Sequence, residues 1–577
     1  MEPVRDRRWI CRSVDEEQSE AFLPLAEVME IDPLAARVLC SRGICTPEEG
    51  RRFLEGRLSD LPDPFLMRGM TEAVARLSQA LEAREPIAIH GDYDVDGITG
   101  TALLMEGLQR MGAITTYHIP LRLVDGYGLS SAALEMAAQA GTRLCVSVDC
   151  GISAVEEANL AKTLGLELII SDHHQPPAQL PQAVAILNPH QDGCQFPFKD
   201  LAGVGVAFFL LIGLRHRMRE RGYFTSRPEP DLRRLLDLVA LGTIADVVPL
   251  KGVNRTLVKN GLLALERNFR PGVASLRDVA AVREVTCGAV GFRLAPRLNA
   301  AGRLEDAGKG VELLLATDPQ KARTIAEQLD GFNRERQEIE QRTLNQAIER
   351  LAGQPQEQKT VVLADERWHP GVIGIVASRL AERYHRPTVL IALDGEGKGK
   401  GSARSIAGFN LYQALECCRE HLDGFGGHAF AAGLSLSTAA VPAFAADFEM
   451  AAGEILEAED LSPRILHDGE LLIEELTLDA VEALTQLAPF GAGNAEPVFL
   501  FQGVRAQQLQ VVGEDHLRMT VRQGGYSTAA IAFGMADRID TFRQEVDLLA
   551  VPAVNAWKST VAVQLRIKDV RPAAVDR

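Results

Sequence analysis

The segment Pro86-Ile87-Ala88-Ile89-His90-Gly91-Asp92-Tyr93-Asp94-Val95-Asp96-Gly97 places three carboxylates at alternate positions after an apolar run. The run predicts a short buried strand, and residues 97–104 predict a turn that enters a helix. Acidic residues at the carboxyl end of a strand in an α/β sheet face the crevice where ligands bind. Because neighbouring carboxylates repel one another, they favour a hard divalent cation with oxygen ligands. The alternative for this segment alone is a polar turn with acidic helix caps.

Three further apolar runs end in acidic or histidine side chains. They are residues 143–148 followed by Asp149, residues 167–171 followed by Asp172-His173-His174, and residues 237–245 followed by Asp246. A metal cluster at the rim of a parallel sheet requires such an arrangement, because each strand delivers its terminal residues to the same edge. A lone histidine is usually a surface or core residue, but two histidines after an aspartate in this company favour a functional site.

The motifs His90-x3-Asp94-x-Asp96, Asp149, Asp172-His173-His174 and Asp246 together resemble the DHH phosphoesterase superfamily. Within it the chain is similar to the RecJ family of single-strand-specific 5′→3′ DNA exonucleases, from about residue 35 to the C-terminus. Four further segments carry the likeness: Asp-Gly-Tyr-Gly-Leu at 125–129, Leu-Ala-Gly-Val-Gly-Val-Ala at 201–207, Ala-Pro-Arg-Leu-Asn-Ala-Ala-Gly-Arg at 295–303 and Gly-Phe-Gly-Gly-His at 424–428.

The resemblance implies that two divalent cations, Mn²⁺ or Mg²⁺, activate a water for attack on a phosphodiester. The implied ligands of one ion are Asp94 and Asp149. Those of the other are Asp96, Asp149, His173 and Asp246, so that Asp149 bridges two ions about 3.5–4 Å apart. An imidazole among carboxylates shifts the preference from magnesium towards manganese.

Four neighbouring residues are expected to assist this cluster. His90, Asp92 and Asp172 are possible ligands or supporting groups; for Asp92 and Asp172 the favoured role is to orient the ligands. The resemblance makes Asp149 and His174 catalytic residues. It places His174 beside the scissile phosphate, as a donor to a non-bridging oxygen or to the leaving group.

Two glycine-rich segments, residues 398–405 and 424–429, are expected to bind the substrate. Alone, such segments are usually flexible solvated turns, but together they resemble the DHHA1 substrate-binding module. The chain has Leu121 where the family usually has Asn, and Ala403 where it has Gly. The residues that the resemblance assigns to DNA or its 5′-phosphate are Arg122, Arg303, Ser402, Arg404, Gly427 and His428. The arginine-rich segment 293–303 is a candidate lining of a channel for the DNA backbone. Residues 333–336 either line the same channel or form an exposed helix face with Glu–Arg pairs.

Composition points to a globular protein of several domains. The chain has 577 residues, 46% of them hydrophobic, and a net charge of −17, which argues against a protein that coats nucleic acid nonspecifically. The N-terminus lacks the apolar core of a signal peptide, the longest apolar run (201–214) is too short to span a bilayer, and the nine cysteines form no regular framework. We therefore expect a cytoplasmic protein with reduced thiols and no membrane attachment.

The pattern along the chain predicts an α/β fold with two α/β domains joined by a long helix and a C-terminal β-barrel. Alternating strand-like and helical runs predict the α/β domains, and short alternating runs past residue 460 predict the barrel. With the domain identities that the family resemblance implies, the expected segments are a small helical N-terminal lead-in (1–75), the DHH catalytic domain (76–318), the connecting helix (319–355), the DHHA1 substrate-binding domain (356–458) and an OB-fold-like nucleic-acid-binding domain (459–577).

The function implied by the resemblance is a single-stranded-DNA 5′→3′ exonuclease that releases 5′-mononucleotides during DNA repair and recombination. It implies a monomer that needs a free 5′ end and works with a helicase and a single-strand-binding protein. One alternative is a DHH–DHHA1 phosphodiesterase for nanoRNA or cyclic dinucleotides, and another is an inactive scaffold. The extra residues 460–577 favour the exonuclease over the first, and the full set of acidic motifs argues against the second.

Overall fold

The computed structural model describes residues 7–12, 21–122, 126, 128–353, 355, 357–557 and 560–573. Asp125 and Tyr127 of the segment 125–129 lie outside these ranges. The described residues of the N-terminal part include the strand β1 (Arg8–Cys11) and the α-helices α1 (Phe22–Met29), α2 (Pro33–Ser41) and α3 (Pro47–Glu55). None of the helices in the described ranges combines the length and the apolar character needed to cross a bilayer.

The first α/β domain is built on a five-stranded parallel sheet. Its strands are β2 (Pro86–Gly91), β3 (Ile114–His118), β4 (Leu144–Val148), β5 (Glu167–Ser171) and β6 (Ala185–Leu187), in the order β3-β2-β4-β5-β6. Its helices are α4 (Met70–Ala83), α5 (Val95–Arg110), α6 (Ser131–Gln139), α7 (Val155–Thr163), α8 (Gly203–Glu220), α9 (Leu236–Ala245), α10 (Gly252–Arg267), α11 (Pro271–Val279), α12 (Cys287–Ala289), α13 (Ala295–Leu304) and α14 (Gly308–Leu315). All four predicted acidic termini lie in this domain.

The run before Asp246 does not form a strand at the rim of the sheet. It forms α9, a helix buried at its first eight residues, and Asp246 follows its last residue. A short run that is apolar on every side is compatible with a buried strand and with a buried helix, so periodicity does not separate the two. The expectation of a strand here was wrong, but the helix still delivers Asp246 to the same place.

The predicted connecting helix is α15 (Pro319–Leu351). Asp318 caps it by accepting a hydrogen bond from the backbone N–H of Gln320, and Pro319 occupies the first helical position. Its first half packs into the core of the first domain through Ala322, Ile325, Ala326 and Leu329. Its second half packs on the second α/β domain through Leu344, Ala347 and Leu351, so one helix is shared by two cores.

The second α/β domain has a mixed five-stranded sheet in the order β10-β11-β9-β8-β7. Its elements are β7 (Val361–Asp365), α16 (Ile373–Tyr384), β8 (Thr388–Leu393), β9 (Lys398–Arg404), α17 (Leu411–Cys417), β10 (Gly424–Gly427), β11 (Ala431–Ser437) and α18 (Val441–Ile455). The two glycine-rich segments, which taken alone would usually be flexible turns, form strands β9 and β10. The small side chains at Gly399, Gly401 and Ala403 allow β9 to pack closely, because a Cβ at either glycine would meet side chains of the core.

The C-terminal domain confirms the predicted barrel. Its elements are β12 (Arg464–His467), α19 (Leu478–Thr485), β13 (Phe499–Val512), β14 (His516–Gln523), β15 (Tyr526–Ala532), β16 (Glu545–Trp557) and β17 (Thr560–Pro572). Strands β13 to β17 close in the order β13-β14-β15-β17-β16, with β15 and β17 parallel. Closure leaves the barrel without free sheet edges.

The N-terminal segment is not a separate lead-in. Leu25, Val38 and Leu39 share one apolar core with Phe499 and the other inward-facing residues of the barrel. β1 pairs in parallel with β12. The helix α4 belongs instead to the core of the first α/β domain and crosses the expected boundary at residue 75. The N-terminal segment and the C-terminal domain therefore meet, which local sequence patterns do not reveal.

Arg255 links these parts, and its loss is expected to destabilise the protein. It is 2% exposed and donates hydrogen bonds to the backbone carbonyls of Phe53, Ala488 and Pro489. Arg255→Met would leave buried carbonyls without donors, so we expect a loss of about 2–5 kcal/mol in the free energy of unfolding, measured in urea. Arg233→Met, at an exposed arginine, is the matched control. Equal stability of the two variants would contradict the proposed linking role.

Candidate metal centre and phosphate-binding cleft

The first acidic motif turns the chain from β2 into α5. Asp94 is the N-cap of α5, and its Oδ1 accepts hydrogen bonds from the backbone N–H groups of Asp96 (2.9 Å) and Gly97 (3.1 Å). A Cβ at Gly97 would lie only 2.4 Å from the carbonyl oxygen of Asp92. Glycine therefore permits the tight turn that brings the carboxylates of Asp92, Asp94 and Asp96 to the carboxyl end of the sheet.

The loop after β4 places Asp149 at the centre of the cluster. Its φ is 63°, in the left-handed region, and its backbone N–H donates to the carbonyl of Ser171. The N-terminus of α8 approaches closely, because a Cβ at Gly203 would lie 2.8 Å from Asp149 Oδ1. The backbone N–H groups of Gly203 and Val204 donate to the Asp96 carboxylate at 2.6 and 2.8 Å. The helix thus fixes Asp96 beside Asp149.

Asp172 orients the two histidines that follow β5. Its Oδ1 accepts the backbone N–H groups of His173 and His174 and lies 2.7 Å from His174 Nδ1, while its Oδ2 accepts the N–H of Ile152. Burial alone would raise the pKa of Asp172, but these hydrogen bonds and the histidine charge lower it below its usual value. Asp172 therefore acts on the site through the histidines.

His173 brings the two halves of the cluster together. Its Nε2 lies 3.1 Å from Asp149 Oδ1, 3.6 Å from Asp246 Oδ2 and 3.8 Å from Asp96 Oδ2. Three sets of ligand atoms converge to within 4.8 Å of one another. The sets are Asp92, Asp94 and Asp149; Asp96, His173 and Asp246; and Asp149, His173 and His174. Asp92, expected to orient ligands, therefore stands among the potential ligands.

His90 lies to one side of these sets. Its Nε2 is 3.1 Å from the carbonyl oxygen of Gly128, and its ring centre is 5.2 Å from that of His118. Among the described residues, the converging ligand sets do not include His90. His118 was not singled out in the sequence, although its position at the end of a parallel strand is the signal that identified Asp149 and Asp172.

The electrostatics of the cluster favour a bound cation. Burial, followed by repulsion from neighbouring carboxylates, raises the pKa of Asp96 to about 7 and the pKa values of Asp92, Asp149 and Asp246 well above their usual range. Burial, followed by the adjacent histidine, lowers the pKa of His173 to about 3, which keeps its imidazole neutral. Neutral imidazole and clustered carboxylates are suitable ligands for manganese and magnesium.

Unsatisfied polar atoms provide a second test of that fit. Asp92 Oδ1, His173 Nε2 and Asp246 Oδ2 are buried and have no hydrogen-bond partner among the described residues. Buried polar atoms without partners are costly, so their presence in one cluster needs an explanation. Divalent cations at this position would provide the missing partners.

Three arginines lie close to one another beside the ligand cluster. The Arg122 guanidinium lies 5.0 Å from the ring centre of Tyr93, the residue between Asp92 and Asp94 in the sequence. Arg303 donates to the carbonyl of Gly371 at 3.0 Å. Arg404 donates to Ser378 Oγ and Ser402 Oγ, both at 3.1 Å. No carboxylate of the described chain forms an ion pair with any of these arginines.

The mutual approach of these arginines makes this position a candidate anion site. Burial, followed by the charges of Arg122 and other arginines, lowers the pKa of Arg303 to about 9, and burial followed by Arg122 lowers that of Arg404. Buried cations that face one another without carboxylates favour an anion, and the forked guanidinium suits a phosphate. Gly374 leaves room here, because a Cβ would meet Ser402 Oγ at 2.8 Å.

The β10–β11 hairpin places His428 against the metal cluster. The rings of His174 and His428 stack with centres 6.1 Å apart and an interplanar angle of 10°. Gly427 lies just before it with φ 145°, where a Cβ would collide with the carbonyl of Ala431. Of the two departures from the family pattern, Ala403 faces the buried core and Leu121 is exposed.

The other arginines of the predicted channel have protein partners. Arg297 and Arg334 pair with Asp330, and Arg336 pairs with Glu340 along α15. The structure thus favours Glu–Arg and Asp–Arg pairs for residues 333–336. Two residues to which the sequence analysis gave no role support the site. Asn299, within the quoted segment 295–303, accepts the backbone N–H of Val95 on its Oδ1, and Ser378 accepts a hydrogen bond from Arg404.

A carboxylate and histidine cluster at the carboxyl end of a parallel sheet, facing an arginine-lined anion site, defines a metal-dependent phosphoesterase. Three family models match the chain: the DHH family N-terminal domain over 86–243, the DHHA1 domain over 357–454 and the RecJ OB domain over 467–569. The chain belongs to the RecJ family.

Individual relatives support this assignment. The chain is 42% identical to the single-stranded-DNA-specific exonuclease RecJ of Dickeya dadantii, over 95% of this chain and 98% of that one. It is 38% identical to the protein of the same name from Bacillus subtilis, over 97% of this chain and 70% of that one. The crystal structure of RecJ in complex with Mn²⁺ from Thermus thermophilus superposes with a TM-score of 0.84 at 32% identity, covering 98% of this chain and 80% of that one.

Proposed function

We propose that this protein is a single-stranded-DNA-specific exonuclease that degrades DNA from the 5′ end and releases 5′-mononucleotides. The observation that carries the proposal is the arginine-lined anion site directly beside the cluster of ligand atoms. RecJ relatives named for this activity, one of them solved with Mn²⁺ and again with Mg²⁺, support it. We expect a 5′-phosphate held in the anion site to place the next phosphodiester of the strand beside the ligand cluster.

The residues that would hold two divalent cations, Mn²⁺ or Mg²⁺, form two sets that share Asp149. The first set is Asp94 and Asp149, with Asp92 now a candidate ligand. The second set is Asp96, Asp149, His173 and Asp246. When bound, the cations supply positive charge to the phosphate and lower the pKa of a bound water.

His174 is the residue proposed to act directly on the scissile phosphate. Burial opposes its protonation, but the hydrogen bond and charge of Asp172 raise the pKa of His174 above the usual value. A protonated imidazole can donate to a non-bridging oxygen or give a proton to the leaving 3′ oxygen. His428, stacked on it, limits the directions in which His174 can turn.

The 5′-phosphate would be held by Arg122, Ser402 and Arg404, with Arg303 and Gly427 closing the site. We expect Arg404→Ala and Arg122→Ala to lower kcat/KM for 5′-phosphorylated strands by about ten- to a hundredfold, since charge-assisted contacts contribute roughly 1.5–3 kcal/mol each. The assay compares oligonucleotides with 5′-phosphate and 5′-hydroxyl ends. Arg334→Ala, at a 73% exposed side chain, is the control. Equal losses on both ends would mean that these arginines bind the strand generally.

The alternative phosphodiesterase for nanoRNA or cyclic dinucleotides is not favoured, because the C-terminal barrel matches the RecJ OB domain. The assay that tests the proposed function is digestion of 5′-labelled single strands, duplexes and dinucleotides in Mn²⁺. We expect the single strand to yield labelled mononucleotide from its first cleavage. Preference for dinucleotides, or equal cleavage of duplex, would contradict the exonuclease.

The proposed function also suggests partners, an oligomeric state and a cellular compartment for this protein. A helicase and a single-strand-binding protein are proposed partners, since they supply and maintain the single strand that the substrate requires. A monomer would suffice, because one chain supplies both the ligand cluster and the anion site. Nine cysteines that are all free suit a reducing cytoplasm.

A further inference from the structure

A groove of about 740 Å³ opens on the second α/β domain. We call it the lysine groove. Its lining includes Trp368, Pro370, Lys398, Lys400, Asp423 and Ser435. None of these residues belongs to the ligand cluster or to the anion site described above.

The groove and the anion site share one face of β9. Successive side chains of a strand point to opposite faces, so Lys398, Lys400, Ser402 and Arg404 lie on the same face. The alternate residues Gly399, Gly401 and Ala403 face the apolar core on the other side. The exposed lysines therefore continue, in one row, the line begun by the two residues of the anion site.

The register of the strands gives this row a direction. Arg404 pairs with Ala431, at the end of β11 next to the hairpin tip that places His428 on His174. Lys398 pairs with Ser437 at the far end of the same strand. Moving from Arg404 towards Lys398 therefore leads away from the metal cluster. Successive members of the row are two residues apart, so each lies roughly 6.5 Å further along β9 than the one before.

The helix that covers the anion site does not extend over the lysines. On α16, Gly374 lies against Ser402 and Arg404, and Ser378 binds Arg404, whereas Lys398 and Lys400 are exposed. Within the described ranges, neither lysine forms an ion pair or a side-chain hydrogen bond. Two cations thus face the groove beyond the anion site, on the side away from the ligand cluster.

Two carboxylates also border the groove. Asp394 accepts the backbone N–H groups of Glu396 and Lys398; these hydrogen bonds, followed by the Lys398 charge, lower the pKa of Asp394, so this carboxylate offsets part of the charge of Lys398. Asp423 precedes β10, two strands away from β9, which corresponds to about 9–10 Å. The lysines are thus the charged groups nearest to the anion site along β9, and they favour an anionic ligand.

We propose that the lysine groove binds the additional phosphates of a 5′-triphosphorylated strand, so that the enzyme accepts 5′-triphosphate ends as well as 5′-monophosphates. This inference rests on the proposed function, because it takes the anion site as the place of the first phosphate. In the reaction, water adds to the phosphorus between the first two nucleotides and the bond to the 3′ oxygen breaks. That oxygen takes a proton, the first nucleoside leaves with its triphosphate, and the shortened strand keeps a 5′-phosphate.

The test compares one single-stranded oligonucleotide carrying a 5′-monophosphate or a 5′-triphosphate, in Mn²⁺. The variant is the double substitution Lys398→Gln and Lys400→Gln, which removes charge but keeps much of the side-chain length. Lys321→Gln, an exposed lysine on α15, is the matched control. We expect the full-length enzyme to release a nucleoside triphosphate as its first product from the triphosphorylated strand.

We expect the double variant to lower kcat/KM for the triphosphate by at least about tenfold, the effect of losing one charge-assisted contact, and to leave the monophosphate unchanged. If the unaltered enzyme hydrolyses the monophosphate but not the triphosphate, or if the variant affects both equally, the inference is overturned while the proposed function stands. If it hydrolyses neither, the proposed function fails, and the inference fails with it.

Discussion

Asp149→Asn is expected to reduce hydrolysis of single-stranded DNA by more than about a hundredfold in saturating Mn²⁺, because the substitution removes the carboxylate shared by both proposed metal sites. Asparagine tolerates the left-handed backbone at this position, so the loop is expected to keep its shape. The measurement is kcat with a 5′-labelled strand. Retention of more than a tenth of the wild-type rate would contradict the bridging role.

Measuring the stability of the variant distinguishes a loss of catalysis from a loss of the folded state. The folded state raises the pKa of Asp149, so the stability that its protonated form contributes at low pH is lost as the pH rises. Asparagine does not titrate, and metal-free Asp149→Asn is therefore expected to be at least as stable as the wild type at neutral pH. Asp237→Asn is the control, since it breaks the buried pair with Arg270 and is expected to lower stability while keeping activity.

His174→Gln is expected to lower kcat by about 10²–10⁴-fold, the usual contribution of a positioned proton donor. Asp172→Asn should lower the pKa of His174, because it removes the partner that favours the protonated ring, and should move the alkaline limb of the pH–rate profile to lower pH. Both variants are expected to retain metal binding. Loss of metal together with activity in His174→Gln would instead make His174 a ligand.

The sequence predicted most of the side chains that the structure brings together in the ligand cluster, because those residues follow short buried strands directly. Asp94, Asp149 and His173 needed only the rule that parallel strands end at one edge. The element that precedes Asp246 was predicted incorrectly as a strand, since a short apolar run fits a strand or a helix. The inclusion of Asp92 among the converging ligand atoms depends on the turn at Gly97, which spacing does not specify.

Long-range packing was harder to predict. The contacts of Leu25 and Val38 with the barrel join segments more than four hundred residues apart in the sequence. The glycine-rich segments 398–405 and 424–429 lack the β-branched and aromatic residues typical of strands, yet they form β9 and β10 because small side chains allow close packing there. The net charge of −17 argued against nonspecific coating of nucleic acid, yet Arg122, Arg303 and Arg404 lie beside the ligand cluster without an ion pair to any carboxylate of the described residues.

The measurement that tests the central claim most directly is the number and position of manganese ions bound to the folded protein. Anomalous scattering from crystals soaked in Mn²⁺ should show two ions per chain, one on each side of the Asp149 carboxylate. The first would lie near Asp94 and the second near His173 and Asp246. A single ion, or ions that do not contact Asp149, would contradict the account.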